Sequence, residues 1–321
     1  MGGTSYSTAT RMARSVSKGY ETKSRQEIFS SSVHDSMIPK GVTLREARDS
    51  EAHPDSFPGI LGLDVTASMG HVPHDLIKTG LPKLMGSLIQ GGCPDISLCF
   101  VAFGDHEVDR APLQIGQFES GDSELDMWLE RTWLEGGGGG NAGESYLLVW
   151  AFAAFVCDTD HWDKRGHKGV LVTVGDEPNL QTLPTSAAVE IFGEQARDWW
   201  QGSSITADAL LRLAQEKWEV FHLHVQHGSR WRGSDQALAQ WRDRLGQQAI
   251  EVDGAEGVPE AVVNAVLSRM DAIVPPATTS TQEVSTTPAT EEETPEVEDV
   301  TADPPSEDRP GVDVSDEVET I

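Results

Sequence analysis

Apolar runs with strand character alternate with amphipathic stretches of helical periodicity through the middle of the chain. This alternation is typical of βαβ units, in which helices cover both faces of a parallel sheet. The pattern predicts strands at residues 60–64, 96–103, 113–118, 169–174, 220–225 and 249–252. It predicts helices at residues 73–88, 123–134, 144–155, 187–199, 206–217, 236–245 and 259–270. The expected fold is a doubly wound, mostly parallel α/β domain with a six-stranded sheet.

The predicted strand at 113–118 differs from the others in how the chain reaches it. Only a short Asp-rich turn separates it from the strand at 96–103. A parallel connection needs a crossover of a dozen or so residues, usually a helix, and there is no room for one here. We therefore expect an antiparallel edge strand formed by a hairpin.

The composition divides the chain into three parts. Residues 57–273 carry the alternating pattern of the expected domain. Residues 1–56 have few apolar positions and are expected to be partly flexible, although residues 28–56 could form a segment packed on the domain. Residues 274–321 hold fourteen acidic residues against one Arg, with many Pro and Thr, so we expect a disordered acidic tail.

The charge of the chain limits its partners. The formal net charge is −28, which argues against nucleic acid as the main partner because phosphate binding depends on a Lys/Arg surface. Residues 11–25 form a short basic exception, interpreted as a solvated flexible arm.

Other features bear on the location of the protein. No apolar run approaches the roughly 18 residues that a membrane span needs, and the N-terminus lacks the apolar core of a signal peptide. Cys93, Cys99 and Cys157 show no CxxC pairing and are interpreted as small core hydrophobes. We expect a soluble, cytoplasmic protein of bacterial or phage origin, with virion association left open.

Three polar motifs fall where ligands bind in a doubly wound sheet, beyond the carboxyl ends of the strands. Asp64, Thr66 and Ser68 follow the first predicted strand, and Asp176 follows the strand at 169–174. The third motif is a glycine run, Glu135 followed by five Gly, that leads into residues 141–145. Carboxylate and hydroxyl oxygens are ligands that a hard divalent cation prefers.

These residues resemble the von Willebrand factor type A domain, whose metal-ion-dependent adhesion site uses Asp-x-Ser-x-Ser, a Thr from a second loop and a later Asp. Asp64-Val-Thr66-Ala-Ser68 matches the first motif with Thr in place of the first Ser, and Asp176 matches the later Asp. The resemblance covers roughly residues 57–273. It implies a bound Mg²⁺, Mn²⁺ or Ca²⁺ held by Asp64, Thr66, Ser68 and Asp176.

The second loop departs from the family pattern. Asn141 stands where the family usually has a Thr, with Glu144 and Ser145 close behind. We assign the loop's ligand to Asn141 and keep Glu144 as a competitor, with Ser145 as a possible additional group. Asp105, after the strand at 96–103, is a candidate carboxylate that would position the ligands without contacting the cation itself.

Each of these residues also has a purely structural interpretation. Asp64, Thr66 and Ser68 could cap a helix, and Asp176 could form a turn before Pro178. His222, His224 and His227 could ligate zinc, but buried hydrogen-bonded histidines are the commoner outcome. Glu144 occupies the place where a P-loop needs its Lys, so nucleotide binding is not expected.

The leading functional hypothesis is a non-enzymatic binding module, in which the cation accepts an Asp or Glu side chain from a protein partner. The resemblance implies a role as an adaptor or chaperone-like cofactor, possible partners being MoxR-type AAA+ ATPases. One alternative is a haloacid-dehalogenase-like phosphatase with Asp64 as the nucleophile, although Thr66 replaces the acid that such enzymes need two residues later. A phage structural or interaction protein is a further alternative.

Overall fold

A six-stranded sheet lies at the centre of the computed structural model, which describes residues 6–136, 143–226 and 233–273. Its strand order is β10-β9-β6-β2-β3-β4. Five of these strands are parallel, and β4 pairs antiparallel with β3. The strands are β1 (Arg45–Ala47), β2 (Phe57–Asp64), β3 (Ile96–Phe103), β4 (Leu113–Ile115), β5 (Cys157–Thr159), β6 (Gly169–Gly175), β7 (Thr182–Pro184), β8 (Ser204–Thr206), β9 (Trp218–Gln226) and β10 (Ala249–Asp253).

The sheet confirms the predicted fold class and the antiparallel edge strand. Every residue of β2, β3 and β6 is buried, as expected when helices cover both faces. The pattern did not predict two small ribbons, β1 with β5 and β7 with β8. Their strands are only three residues long, too short to show a periodicity.

Eleven α-helices lie among the described residues, and eight of them carry the seven predicted helical segments. The helices are α1 (Thr8–Lys18), α2 (Arg25–Ile28), α3 (His71–Asp75), α4 (Leu81–Gln90), α5 (Asp122–Arg131), α6 (Tyr146–Phe155), α7 (Asp160–Asp163), α8 (Thr185–Phe192), α9 (Ala207–Lys217), α10 (Ser234–Leu245) and α11 (Val258–Ile273). A π-helical turn, Leu76–Gly80, joins α3 to α4, so the predicted helix at 73–88 is continuous but locally widened. None of the helices in these ranges is both long and apolar enough to cross a membrane.

Two apolar clusters pack against the two faces of the sheet. One contains side chains of α4, α5 and α11, and the other contains α6, α8, α9 and α10. Helix α6 lies deepest, with eight consecutive buried residues from Tyr146 to Ala153. It approaches the sheet at Gly62, where an added Cβ would stand 3.1 Å from the methyl groups of Val149. The three cysteines are buried free thiols, in agreement with their interpretation as core residues.

Residues 6–56, here called the N-terminal segment, pack on the first of these clusters. Tyr20, Ile28 and Phe29 are buried in it. Ser7 caps the start of helix α1, because its hydroxyl accepts a hydrogen bond from the Thr10 amide. Gly19 caps the end of the helix with a φ of +68°. The interpretation of residues 11–25 as a solvated arm is therefore wrong, because Arg11, Arg14 and Lys18 lie on α1 and form ion pairs with acidic residues of α5.

Arg11 is the main reason that this basic stretch is ordered. Its side chain is fully buried and lies 2.5 Å from the carboxylate of Asp126 in α5, which is also fully buried. It also donates a hydrogen bond to the carbonyl of Ile77 in the π-helical turn. Burial raises the pKa of Asp126 to about 6 although Arg11 and Arg14 lower it. The ion pair is thus needed to keep this carboxylate charged inside the protein.

Replacing Arg11 with Met should destabilise the fold strongly, because Asp126 would stay buried without its nearest cation. We expect the free energy of unfolding to fall by about 3–5 kcal/mol, as is typical of a broken buried pair. Urea denaturation followed by circular dichroism measures this. Arg14→Met is the matched control: Arg14 is 21% exposed and 3.6 Å from Asp126, so about 1 kcal/mol is expected. Equal losses in the two variants would contradict the role of Arg11.

Candidate functional site

The winding of the sheet reverses beside β2, and the candidate residues lie at that point. From β2 the chain moves to β3 on one side, and after β4 it returns to β6 on the other side of β2. Asp64 is the last residue of β2. Leu63 pairs with Val174 of β6, so Asp176 leaves the sheet next to Asp64. Ligands bind at such reversal points in doubly wound sheets because the loops diverge there and leave a crevice.

The loop of residues 64–70, here called the Asp64 loop, is organised around the Asp64 carboxylate. Its Oδ1 accepts hydrogen bonds from the amide of Thr66 at 2.9 Å and from the hydroxyl of Thr66 at 2.6 Å. Its Oδ2 is buried and has no hydrogen-bond partner among the described residues. An unpaired buried carboxylate oxygen is costly and is a ligand position for a cation.

The exposed Ser68 connects this loop to the end of β6. Its hydroxyl donates a hydrogen bond to Oδ1 of Asp176 at 3.3 Å. The structure therefore brings Asp64, Thr66, Ser68 and Asp176 to one edge of the sheet, as the sequence pattern implied. Two carboxylates and two hydroxyls from separate loops meet there.

Glu144 reaches the same edge from the segment before α6. Its amide donates to the carbonyl of Pro178 and its carbonyl accepts from Leu180, both at 2.9 Å, so the chain direction is fixed there. The side chain is 5% exposed, and Oε2 has no hydrogen-bond partner within the described ranges. Asn141, the other candidate from this loop, lies outside the described residues.

Ser145 and Asp105 shape the neighbouring loop after β3. The Ser145 hydroxyl accepts a hydrogen bond from the His106 amide at 2.9 Å, and its own amide donates to the carbonyl of Gly104. Oδ1 of the buried Asp105 accepts from the amide of Glu107, whereas its Oδ2 has no partner among the residues described. Both residues hold the loop in place beside Glu144.

The electrostatics of the edge are unfavourable without a cation. Burial raises the pKa of Asp64, the charges of Asp176 and Glu177 raise it further, and the Thr66 hydrogen bonds only partly oppose this. Burial also raises the pKa of Glu144, with added contributions from the charges of Asp64 and Asp105. A divalent cation between these oxygens would relieve both the desolvation and the repulsion.

The number of carboxylates around one cation is limited by geometry. Within the described ranges no three His, Cys, Asp or Glu side chains are placed to share a metal ion. The set formed by Asp64, Asp176 and the hydroxyls of Thr66 and Ser68 contains only two carboxylates. Glu144 lies near Asp64 without completing a group of three.

Residues that the sequence did not indicate hold the loop after β6. The Tyr146 hydroxyl accepts a hydrogen bond from the Glu177 amide at 3.3 Å, and the indole of Trp241 donates to the Glu177 carbonyl at 3.0 Å. Gly175 is required here, because a Cβ at this position would overlap the Tyr146 hydroxyl. These aromatic residues look like ordinary core positions in the sequence, so no local signal marks them.

His222 and His224 of β9 are both held by hydrogen bonds, and His222 packs against Trp241 of this support. His222 stacks on Trp241 with ring centroids 3.7 Å apart and contacts the Thr173 hydroxyl at 3.1 Å. His224 contacts the hydroxyl of Ser234 at 3.0 Å. Both are buried and hydrogen-bonded, as the commoner interpretation held, and His227 lies outside the described residues.

Comparison with known proteins gives no family model and no curated protein that matches the chain. Similar solved structures include the pilus adhesin SpaC from Lactobacillus rhamnosus GG in its open conformation, with 9% identity over 66% of this chain and a TM-score of 0.44. Proximal thread matrix protein 1 from the mussel byssus shows 9% identity over 66% of this chain and a TM-score of 0.41. An aerotolerance-related membrane protein from Bacteroides fragilis NCTC 9343, with multiple mutations to serines, shows 15% identity over 67% and a TM-score of 0.38.

The matched region is 30% of the adhesin, 48% of the thread matrix protein and 100% of the aerotolerance-related chain. Because their identities and TM-scores are low, these similarities carry no argument about function. The fold assignment rests on the strand order and the pairing described above.

Removing the charge of Asp64 should change how the stability of the cation-free protein depends on pH. Burial raises the folded-state pKa of Asp64, so the folded protein is more stable when this carboxyl is protonated. This contribution to the free energy of unfolding is fully present below the ordinary carboxyl pKa of about 4, and it is lost as pH rises through the folded-state pKa. In EDTA, the free energy of unfolding of the wild type should fall more steeply above about pH 4 than that of Asp64→Asn. Urea denaturation at a series of pH values measures the two slopes.

The matched control for this prediction is Asp243→Asn, because Asp243 is exposed on α10. It should keep the slope of the wild type. Parallel curves for the wild type and Asp64→Asn would show that Asp64 is not held in an unfavourable environment.

Proposed function

We propose that the chain is a von Willebrand factor type A-like module that binds a protein partner through a divalent cation. The observation that carries the proposal is Oδ2 of Asp64: it is buried and unpaired at the reversal point of the sheet, beside the hydroxyls of Thr66 and Ser68 and the carboxylate of Asp176. This donor set fits a hard cation such as Mg²⁺, with Mn²⁺ or Ca²⁺ as alternatives.

The chemistry of the set supports a docking role. Two carboxylates neutralise the charge of a divalent cation, and two hydroxyls add neutral oxygens. Such an ion is not surrounded by protein acids and can accept an Asp or Glu side chain from another molecule. The resemblance to the family extends the proposal to a AAA+ ATPase of the MoxR type as one possible partner.

Glu144 and Asn141 would affect the cation site in different ways. Glu144 adds negative charge next to the cation, which would strengthen cation binding and weaken attraction for a partner's acid. Asn141 would add only an amide oxygen. We propose that Glu144 does not coordinate the cation directly, because no three acidic side chains of the described residues are placed around one ion.

The phosphatase alternative gains no support from the site. Such an enzyme needs an acid at position 66 to protonate the leaving group. The chain has Thr66 there, and its hydroxyl is already donated to Asp64.

Isothermal titration of Mg²⁺ tests the cation site directly. Asp64→Ala removes the proposed ligand oxygen Oδ2, so the affinity should fall by at least about tenfold, which corresponds to 1.4 kcal/mol. Asp243→Ala is the control, since it removes an exposed carboxylate that is not among the proposed ligands, and it should bind Mg²⁺ like the wild type. Equal binding by all three proteins would refute the proposed site.

Trp241→Phe tests whether the aromatic residues position Asp176. The substitution keeps a ring against His222 and removes the donor to the Glu177 carbonyl. One lost hydrogen bond of about 1 kcal/mol should weaken Mg²⁺ binding roughly fivefold if it orients the loop.

Trp218→Phe is the matched control for this variant, because its indole donates to the Ala153 carbonyl away from the site at 3.1 Å. It should lower stability by a similar amount and leave Mg²⁺ binding unchanged. Similar Mg²⁺ affinities for the two variants would exclude a positioning role for Trp241.

A further inference from the structure

A cavity of about 660 Å³ lies beside the Asp64 loop. Three parts of the chain form it: Arg25 to Ser31 of the N-terminal segment, Val65 to Gly70 of the Asp64 loop, and Trp133 to Gly136 after α5. Thr66 belongs both to this cavity and to the proposed cation site. A ligand in this cavity would therefore contact both the N-terminal segment and the Asp64 loop.

The cavity is rigidly built. Gln114 of β4 is buried and holds Trp133 from both directions: its amide nitrogen donates to the Trp133 carbonyl and its oxygen accepts from the Trp133 amide, both at 2.9 Å. The amide of Ser30 donates to the carbonyls of Glu130 and Thr132. A cavity whose backbone is fixed by these hydrogen bonds exists before any ligand arrives, which lowers the entropic cost of binding.

The lining of the cavity combines an apolar surface with one cation, Arg25, and one carboxylate, Glu135, whose oxygens accept hydrogen bonds from the amides of Arg110 and Ala111. Phe29, Val65, Trp133 and Leu134 supply the apolar surface. Arg25 lies across Gly70, where an added Cβ would stand 2.7 Å from Nη1. An arginine at such a position can bind a carboxylate with two parallel hydrogen bonds.

Arg25 differs from the basic residues of α1. Arg11, Arg14 and Lys18 form ion pairs with Asp126, Asp122 and Glu130 of α5. The side chain of Arg25 forms no hydrogen bond or ion pair with any residue that the structure describes. In a domain with a large excess of acids, a guanidinium left unpaired at the mouth of a cavity is complementary to an acidic ligand.

We propose that this cavity binds an acidic segment of a protein partner, with an apolar side chain against Phe29 and Trp133 and a carboxylate on Arg25. The inference rests on the proposed function, because a neighbouring acid of the same segment would be the one that reaches the cation. The inference specifies the sequence of the partner's binding segment: an apolar residue flanked by acidic residues, rather than any exposed acid.

A fluorescein-labelled Gly/Ser peptide with a central Asp-Leu-Asp is the probe, and fluorescence polarisation with the full chain in millimolar Mg²⁺ is the measurement. Arg25→Gln should weaken binding by at least about tenfold, since a charge-assisted hydrogen bond is lost. Lys23→Gln removes the same charge from a residue that does not line the cavity and should bind as the wild type does. Ser31→Trp should block the cavity, and Ser32→Trp is its control.

The peptide also has its own controls. Asp-Ser-Asp should bind several-fold more weakly because the apolar contact is lost, and Asn-Leu-Asn should not bind. The proposal is overturned if the wild type does not bind the Asp-Leu-Asp peptide, or if Arg25→Gln and Ser31→Trp bind it as tightly as their controls.

Repeating the measurement in EDTA and with Asp64→Ala separates this proposal from the proposed function. Binding that survives both changes but is lost in Arg25→Gln would support the cavity and refute docking through the cation. Intact Mg²⁺ binding by calorimetry, together with no peptide binding, would refute the cavity alone.

Discussion

The desolvation of Asp64 is the constraint on which the candidate site depends. A carboxylate at the end of a fully buried strand cannot be hydrated, and only Thr66 donates hydrogen bonds to it in the part of the chain described. Asp176 and Glu144 add negative charge nearby instead of relieving it. The fold tolerates this arrangement because strands β2, β3 and β6 are fully buried and helix α6 has no exposed position. A site of this kind stores an unfavourable interaction that a cation can remove.

A second buried charge, Arg11, lies beside the apolar cluster that contains α4, α5 and α11. Arg11 connects α1, α5 and the π-helical turn, each of which belongs to a different part of the chain. This contact places the N-terminal segment so that Arg25 and Phe29 come to lie along the Asp64 loop. The cavity beside the site is therefore a consequence of how the N-terminal segment is held, and not of the sheet alone.

The sequence predicted the sheet well because its strands are long apolar runs separated by turn residues. The edge strand β4 was also predictable, since the length of a connection decides between a hairpin and a crossover. Asp64 and Asp176 could be placed at one edge because the carboxyl ends of parallel strands meet there. Arg11 could not be interpreted correctly, because nothing local distinguishes a buried basic residue from an exposed one. Tyr146 and Trp241 were missed for a related reason: their roles depend on contacts between segments far apart in the chain.

The hydrogen bond from Arg11 to the Ile77 carbonyl also bears on where the domain begins. Judged by composition, residues 57–273 form the expected domain, and residues 1–56 are a partly flexible extension of it. A protein trimmed to that range would expose the apolar surface under Tyr20, Ile28 and Phe29, and it would leave the Asp126 carboxylate and the Ile77 carbonyl buried without Arg11. The described part of the N-terminal segment therefore packs as part of the same compact unit as residues 57–273.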